Sequence, residues 1–464
     1  MKPGSGVEAH HRSGSFRELI ELSLPLVLSA SFLTLQLVLD RILLTWSGTD
    51  EAAASMPAVM LFSTLFGTVN HTIQYSSVFV SQYFGAKRPE RIGPVLWHAG
   101  LLAVAGGVIF AALAPFSDSI FGWIGHSGDV ARHEADYFRI LCFAAFPTLV
   151  VGVANAYFSG TGRTWTVFAI NGLGLLVNAP LAYGWILGAW GFPRLGTTGA
   201  GLATLCGSWA SMVVALALLW CSRERVVHCL WPVVRWEADL LKRLLKFGVP
   251  NGLMHLIDMT AWTAFVFFVG YMSKFESAAT NIAFTINLFA FLPLMGLGQG
   301  VEILVGRRQG ERRPDVSFST TIRGLWLGVG YSVAISISYV LAPHWFTWPF
   351  AAGANPKDWI VLEPVICRLL VFVGIYTVGD AVNIIVSYAL RGAGDTKFVA
   401  LMGLGLAWPL MVIPTWLAVQ NGWGVTGAWI FATIYIGLLA VAFAWRFALG
   451  HWRTMTVIEH RLVD

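Results

Sequence analysis

Residues 80–90 read VSQYFGAKRPE, and residues 305–315 read VGRRQGERRPD. The two stretches lie 225 positions apart (305 − 80) and align Gly85 with Gly310 and Pro89 with Pro314. Each stretch follows a long apolar run and ends in basic residues and a proline, a pattern typical of a helix that stops at a turn. Recurrence at a fixed offset indicates an internal repeat. We therefore predict a chain of two similar halves.

Further matches extend the repeat towards both ends of the chain. Pro25 and Pro250 keep the offset of 225 (250 − 25), and each lies near the start of the first apolar run of its half. Two glycine-rich motifs recur at slightly larger offsets, as small loop insertions would produce. They are SGTGRT at 159–164 with RGAGDT at 391–396, and GTTGA at 196–200 with GVTGA at 424–428.

The regions between these motifs are apolar enough to cross a membrane. Of 464 residues, 56% are hydrophobic and 12% charged, whereas soluble domains carry roughly 25% charged residues. A bilayer is spanned by a helix of about 20 apolar residues. Twelve such runs occur, at 18–46, 53–84, 92–116, 134–157, 164–189, 195–221, 243–271, 277–306, 320–343, 361–390, 397–419 and 425–449. Their continuity excludes a membrane β-barrel, whose strands alternate in polarity.

We therefore predict an all-α integral membrane protein with twelve transmembrane helices in two six-helix bundles. Because each bundle has an even number of helices, we expect a pseudo-two-fold axis along the membrane normal. The predicted parts are an N-terminal tail (1–16), the first bundle (17–221), a basic linker (222–242), the second bundle (243–449) and a C-terminal tail (450–464).

The basic residues are distributed unevenly between the two ends of the predicted helices. Segments on the side of the N-terminus hold 23 of the 30 Lys and Arg residues, and the opposite loops hold four: Arg132, Arg194, Lys274 and Lys357. The positive-inside rule then places both termini in the cytoplasm. We expect a multi-pass protein of the cell inner membrane that acts as a monomer, without a cofactor, enzymatic activity or a nucleic-acid partner.

Acidic residues inside apolar runs are candidates for function, because an ionisable group in the bilayer costs several kcal/mol. Asp258 lies 12 residues after Lys246, and Asp380 lies 11 residues before Arg391. At 1.5 Å per residue, both are roughly 16 to 18 Å from the same edge of the membrane. Two carboxylates at one depth in one half can share a cation or hold a proton.

Neighbouring polar residues support this candidate site. Tyr376 lies one turn before Asp380, and Asn383 lies three residues after it, which places a hydroxyl and an amide on the same helix face. Because Na⁺ prefers oxygen ligands, Asp258 and Asp380 are a candidate Na⁺ site. The alternative is that these side chains only hold neighbouring helices together. For Glu302, the position near Arg307 and Arg308 predicts an interfacial ion pair.

The stretches FGVPNGLMHLIDMTAWTAFVFFVG at 247–270, SAATNIAFTINLFAFLPLMGLGQGVEILVGRRQGE at 277–311 and ALRGAGDTK at 389–397 resemble one transporter family. This is the MATE family of multidrug and toxic compound extrusion transporters, in particular its NorM-like branch. In that family a Gly-Pro pair opens the first helix of each half, and an LRGxGxxK motif joins helices 10 and 11. The resemblance covers nearly the whole chain.

The resemblance implies efflux of organic cations in exchange for Na⁺ or H⁺, with small-molecule substrates and membrane lipid as partners. It assigns cation coupling to Asp258, Tyr376 and Asp380 in the second half, and to Asp40 and Asn178 in the first. Two features depart from the family pattern. Ala182 stands where some members carry a second carboxylate or amide, and Arg41 beside Asp40 could neutralise that carboxylate.

Two other functions remain open at this point. A MATE-like flippase of a lipid-linked or other amphiphilic substrate would share the twelve-helix organisation, and a basic central cavity would favour it. An integral-membrane enzyme would require clustered His, Asp or Arg in interfacial loops. The substrate, the choice of Na⁺ or H⁺ and a second cation site in the first half are not determined by these patterns.

Overall fold

The computed structural model describes residues 14–124, 128–230, 236–351 and 355–459, and all regular elements in these ranges are helical. Within them, eleven helical spans are long and apolar enough to cross a membrane. The all-α membrane fold is therefore confirmed.

The α-helices of the described residues are numbered here in chain order. They are α1 Phe16–Ser47, α2 Thr49–Gln74, α3 Ser76–Gly85, α4 Ile92–Leu113, α5 Ser117–Ile124, α6 Gly128–Gly160, α7 Thr164–Leu187, α8 Gly196–Trp220, α9 Ala238–Gly270, α10 Lys274–Gly310, α11 Pro314–Leu341, α12 Pro343–Ala351, α13 Pro356–Ala393, α14 Thr396–Ala407, α15 Ile413–Gln420 and α16 Gly424–Ala448. A π-helical segment, Trp408–Val412, joins α14 to α15 in one span.

The predicted second span is formed by two helices rather than one. The run at 53–84 is covered by α2 and α3, with a break at Tyr75. The helix is barely interrupted at this break. The Tyr75 N–H donates to the His71 carbonyl at 3.2 Å, and the Tyr75 carbonyl accepts from the Val78 N–H at 3.0 Å. With this broken helix, the prediction of twelve spans is confirmed.

The internal repeat is visible in the backbone of the turns. Lys87 and Arg312, 225 positions apart, both have positive φ, 54° and 56°, which is uncommon for residues other than glycine. The Lys87 N–H donates to Phe84 and the Arg312 N–H to Gln309, each across three residues. Both halves therefore close their second span with the same costly turn, as the sequence alignment predicts.

By internal contacts the described chain falls into two compact units. Unit 1 consists of the described residues of Met1–Val27 and Leu253–Thr456, and unit 2 of those of Leu28–Gly252 and Val457–Asp464. The divisions inside α1 and α9 keep the repeat offset (252 − 27 = 225), and each falls two residues after a proline, Pro25 or Pro250. The bundle boundaries predicted at 221 and 243 stay a prediction.

In unit 1, glycines of α10 allow the first turns of α1 to approach closely. A Cβ atom on Gly296 would lie 2.6 Å from the backbone nitrogen of Val27, and one on Gly300 would lie 2.0 Å from Ser23 Oγ. Small residues at such crossings let helices pack where lipid offers no hydrophobic driving force. The start of α1 is therefore an integral part of unit 1.

Unit 2 contains the corresponding crossing with the glycines on the other helix. A Cβ atom on Gly252 of α9 would lie 2.3 Å from the Thr68 carbonyl oxygen of α2, and one on Gly248 would lie 2.7 Å from that of Thr72. Gly252 and Gly248 correspond to Val27 and Ser23 by the 225 offset. Both halves therefore contain a close helix approach at this position. In unit 1 the glycines lie on the helix that packs against α1, whereas in unit 2 they lie on α9, the helix that corresponds to α1.

The prediction for Glu302 is wrong in its partner. The carboxylate pairs with Arg391 of α13 at 3.6 Å, whereas Arg308 pairs with Glu18 at 2.6 Å. The physical reason is the close approach of α13, because a Cβ atom on Gly392 would lie 2.5 Å from the Glu302 carbonyl oxygen. A partner on another helix therefore replaces the neighbours in sequence.

Substitution Gly296→Ala tests the crossing in unit 1. The added methyl group would meet backbone atoms of α1 that cannot move independently, and overpacking of this kind costs about 1 to 3 kcal/mol. We expect a lower midpoint of thermal unfolding in detergent. Gly330→Ala is the matched control, because nothing lies within 4 Å of the added atom. An equal effect of both substitutions would contradict the packing argument.

Candidate cation-coupling site

Asp380 lies in the interior of unit 1 with an amide beside it. It is 7% exposed on α13, and the Asn383 Nδ2 group donates to its Oδ1 atom at 3.1 Å. The buried Asn383 Oδ1 atom has no hydrogen-bond donor among the described residues. Tyr376, one turn earlier, is 3% exposed. The face predicted from the sequence therefore presents a carboxylate, an amide oxygen and a phenol.

Asp258 of α9 belongs to the same group of side chains. It is partly buried, and the indole of Trp262, one turn later, is within hydrogen-bonding range of its carboxylate. Asp258 and Asp380 are near enough to act on each other electrostatically, and Tyr435 of α16 is near enough to interact with both. The structure thus brings the two aspartates together, while their role in coupling stays a prediction.

The aspartate pair, Asp258 and Asp380, has no basic counter-charge among the residues that the structure describes. No Lys, Arg or His within the described ranges forms an ion pair with either carboxylate. An ionised carboxylate inside a membrane protein is costly unless it is paired. Since acceptor oxygens outnumber donors here, a bound cation or a proton is the chemistry that balances this site.

Aromatic rings adjoin the pair on one side. Trp429 lies with its ring centroid 6.1 Å from that of Tyr376 and 5.1 Å from that of Phe284, and Trp262 lies 5.4 Å from Phe284. Trp429 is fully buried, and its indole N–H donates to Thr280 Oγ1 at 3.3 Å. We call Trp262, Phe265, Phe284, Tyr376 and Trp429 the aromatic cluster. By excluding water it strengthens electrostatic interactions at the pair.

In unit 2, Asp40 is also buried, and it forms no ion pair with any residue that the structure describes. It is 5% exposed, and its Oδ1 atom has no hydrogen-bond partner in the described part of the chain. Asn178 is 1% exposed and donates to Thr204 Oγ1 at 3.3 Å, as does Gln36. Tyr137 is close enough to interact with the Asp40 charge. Each half therefore contains a buried aspartate and an acceptor oxygen without a donor among the described residues, which is Oδ1 of Asp40 itself in unit 2 and Oδ1 of Asn383 beside Asp380 in unit 1.

The hypothesis that Arg41 neutralises Asp40 is wrong. Arg41 is exposed, and the described residues include no ion pair between the two side chains. Adjacent residues on a helix point in directions about 100° apart, since a turn takes 3.6 residues. Ala182 is fully buried and supplies no ligand. The polar side chains named in this part of unit 2 are Asn178 and Gln36, which both donate to Thr204, and Tyr137, which interacts with the Asp40 charge.

Several of these side chains were missed by reasoning from sequence. Tyr435, Trp429 and Thr204 lie far along the chain from the aspartates, and nothing local in their apolar runs marks them as neighbours. Trp262 could have been found, because it follows Asp258 by one turn. Gln36 could have been found in the same way, one turn before Asp40.

Asn383→Ala should destabilise the protein, because it leaves the buried Asp380 carboxylate without its donor. Loss of a partner for a buried polar group costs about 1 to 3 kcal/mol. The midpoint of thermal unfolding in detergent should fall in the wild-type background and change much less in an Asp380→Ala background. Asn281→Ala is the control, because that exposed amide only donates to Ser277 of its own helix. Equal costs in both backgrounds would contradict the proposed contact.

Sequence comparison identifies similar proteins over almost the full chain. The MatE family model matches residues 25–184 and 250–417, once in each half, beginning at Pro25 and Pro250. The multidrug resistance protein NorM of Burkholderia vietnamiensis is 27% identical over 442 residues, covering 94% of each chain. A probable multidrug resistance protein NorM of Neisseria meningitidis serogroup B is 25% identical over 439 residues, covering 92% of this chain and 93% of that one.

Solved structures with the same fold cover 98% of this chain. One, described as the outward-facing conformation of a multidrug resistance MATE family transporter of the MOP superfamily, has a TM-score of 0.87 and 19% identity. Another, a MOP superfamily transporter from Pyrococcus furiosus described as having a binding pocket of reverse polarity, has a TM-score of 0.85 and 20% identity. In both cases the whole of the other chain is covered, which supports the twelve-helix fold.

Proposed function

Because this chain belongs to the MatE family of membrane transporters, we propose that it is a secondary active antiporter that exports organic cations or drugs in exchange for Na⁺ or H⁺. The names of its NorM relatives, which refer to multidrug resistance, support this class of cargo. The observation that carries the proposal is the aspartate pair: two carboxylates of unit 1 that interact electrostatically and form no ion pair with a basic side chain among the described residues.

The coupling follows from the electrostatics of the pair. A Na⁺ ion held by Asp258, Asp380 and the oxygens of Asn383 and Tyr376, or a proton on one carboxylate, supplies the missing positive charge. A cationic substrate is then attracted less strongly to the same unit, because the negative charge of the aspartate pair has been neutralised. The decrease in affinity that one bound cation causes for the other is a coupling free energy between two ligands. Alternating access would convert that exchange into export.

Asp40 and Asn178 form a second candidate cation site, in unit 2. Like Asp380, Asp40 is buried, and its Oδ1 atom has no hydrogen-bond partner among the described residues. With one carboxylate instead of two, it is better suited to a proton than to Na⁺, which prefers several oxygen ligands. Whether it contributes to coupling can be tested with Asp40→Asn under the same conditions as Asp380→Asn.

The setting we propose follows from the sequence. The chain is a multi-pass membrane protein. We place it in the cell inner membrane as a monomer, with both termini in the cytoplasm because the basic residues lie mostly on their side. The proposal requires no cofactor beyond the coupling ion, no catalysis and no nucleic-acid partner.

The deciding experiment is Asp380→Asn in proteoliposomes. Removal of this charge should reduce cation-driven efflux of a fluorescent organic cation about 5- to 150-fold, which is the fold-change that typical coupling free energies produce. Sodium and proton gradients imposed separately identify the coupling ion. The measurement is initial efflux rate at equal amounts of inserted protein.

Asp358→Asn is the matched control, because this aspartate lies on the same helix and is exposed. It should leave the efflux rate unchanged. Wild-type efflux by Asp380→Asn would refute the role of the pair. Transport of a lipid-linked substrate, with no organic-cation efflux by the wild-type protein, would support the flippase instead.

A further inference from the structure

A carboxylate near the C-terminus, that of Glu459, occupies a cluster of four donors in unit 2, which we call the tail site. Its Oε1 atom lies 2.9 Å from Arg88 Nη2 and 3.3 Å from Arg91 Nε. Its Oε2 atom accepts from the Tyr83 hydroxyl at 2.6 Å and from Arg243. All five residues belong to unit 2. The tail site therefore presents two donors to each oxygen of one anion.

The donors of the tail site are positioned by contacts that do not involve Glu459. Tyr83 is fully buried at the end of α3, and the guanidinium carbons of Arg88 and Arg91 lie 5.5 and 5.9 Å from the centroid of its ring. Arg91 is also held by Glu237, whose two carboxylate oxygens accept from it at 2.9 and 2.7 Å. The site is thus preorganised for an anion, which lowers the cost of binding one.

Without Glu459 the tail site carries an excess of positive charge. Its three guanidinium groups are accompanied by two acids among the described residues, Glu237 at 2.7 Å from one group and the exposed Glu90 at 4.0 Å from another. Three charges against two leave one positive charge. Burial opposes ionisation of Glu459, but hydrogen bonds from Tyr83 and Arg243 outweigh that effect and lower its pKa to about 2. The site therefore favours a ligand with one negative charge at neutral pH.

The equivalent positions of unit 1 contain their own acid. By the offset of 225, Tyr83 corresponds to Arg308 and Arg243 corresponds to Glu18. Arg308 and Glu18 form an ion pair with each other at 2.6 Å. In unit 2 the same two positions hold a phenol and a guanidinium group, so the negative charge comes from Glu459 instead. The repeat thus requires an additional anion in unit 2 at a place where unit 1 is already neutralised.

The tail site lies at helix ends, where phospholipid headgroups meet a membrane protein. Arg88 and Arg91 lie between α3 and α4, and Arg243 lies in the second turn of α9. Trp97 on α4 and Trp236 just before α9 are 46% and 64% exposed, and such tryptophans are enriched at the membrane interface. The three arginine side chains remain 21 to 24% exposed. Basic pockets of this kind, between the ends of transmembrane helices, bind anionic headgroups.

We propose that the tail site is a binding site for the phosphate of an anionic phospholipid and that Glu459 occupies it as an intramolecular competitor. A phosphodiester, like a carboxylate, offers two anionic oxygens and one negative charge, and guanidinium groups bind both kinds of anion through paired hydrogen bonds. The tail carboxylate then weakens lipid binding, and bound lipid releases the tail. This site goes beyond the proposed transport function and does not depend on it.

Removal of the competitor tests the site in the purified protein. Glu459→Gln keeps the shape of the side chain and removes its charge, so the affinity for a short-chain phosphatidylglycerol should increase about tenfold or more. Titration by native mass spectrometry in detergent measures it. Glu90→Gln is the matched control, because it removes an exposed negative charge near the same Arg88, and it should change the affinity less than about twofold. No gain in Glu459→Gln, or an equal gain in both variants, would refute the site.

Removal of a donor provides the second test. Arg243→Gln in the Glu459→Gln background should abolish the gain in affinity, because Arg243 is one of the four donors. Lys242→Gln in the same background is the control, since this exposed lysine is its neighbour on α9 and lies outside the site. An equal loss with both substitutions would assign lipid binding to the general charge of the surface and would overturn the proposal.

Inorganic phosphate distinguishes a lipid headgroup from a free anion. It should displace phosphatidylglycerol from Glu459→Gln only at concentrations about a hundredfold higher or more, because it lacks acyl chains that gain free energy from apolar contact. Displacement by phosphate at the concentration of the lipid would assign the site to a soluble anion and would overturn the lipid as its ligand.

Hydrogen exchange at Val457 reports on the competition in the wild-type protein. This residue is 1% exposed, and its N–H donates to Gln82 Oε1 at 3.0 Å within unit 2. In nanodiscs, replacing phosphatidylcholine by phosphatidylglycerol should accelerate exchange of the Val457 amide about tenfold, because the lipid releases the tail. The Gly93 amide, which donates to the His228 carbonyl at 2.8 Å, should exchange at the same rate in both lipids. Equal exchange of Val457 in both lipids would overturn the role of Glu459 as a competitor.

Discussion

The hydrocarbon interior of a membrane offers no hydrogen-bond partners, and the structure of this protein depends on that constraint. Every backbone polar group must be satisfied within its own segment, which leaves helices as the economical solution for a chain with such continuous apolar runs. The same constraint makes each buried charge conspicuous. Glu302 satisfies it through Arg391, whereas Asp258 and Asp380 have no basic partner among the described residues, and this difference separates a structural acid from a candidate functional one.

The helix crossings near Pro25 and Pro250 are the second element on which the units depend. A proline inside a helix removes one N–H donor and bends the axis. The first part of α1 belongs to unit 1 and the first part of α9 belongs to unit 2, and each helix continues into the other unit shortly after its proline. In unit 1 the glycines at 296 and 300 make room for this segment, whereas in unit 2 the segment carries its own glycines. The repeat thus conserves a distance between helix axes, which is a backbone property that either partner can provide.

The part of the candidate site that could be predicted from the sequence is the part that follows from helix periodicity. Tyr376, Asp380 and Asn383 share one face by spacing alone, and counting from the basic edge placed Asp258 at the depth of Asp380. Phe265, Phe284 and Trp429 of the aromatic cluster, together with Tyr435, escaped prediction, because contacts between rings on different helices leave no spacing signal in a single sequence. Arg41 and Glu302 show the opposite error, in which sequence neighbours were taken for partners although side chains on one helix diverge and other helices lie closer.

Patterns along the chain were sufficient for the helical class, the twelve spans, the two-fold repetition and the polar face of α13, because hydropathy, helical period and repeat offset are all local or periodic properties. The three-dimensional packing decided which buried acids acquire a counter-charge, which rings adjoin the aspartate pair and where the tail carboxylate of Glu459 docks. These contacts join residues up to several hundred positions apart, and their existence depends on helix axes approaching at particular glycines. Such approach is set by the sum of many packing interactions, which no single stretch of sequence contains.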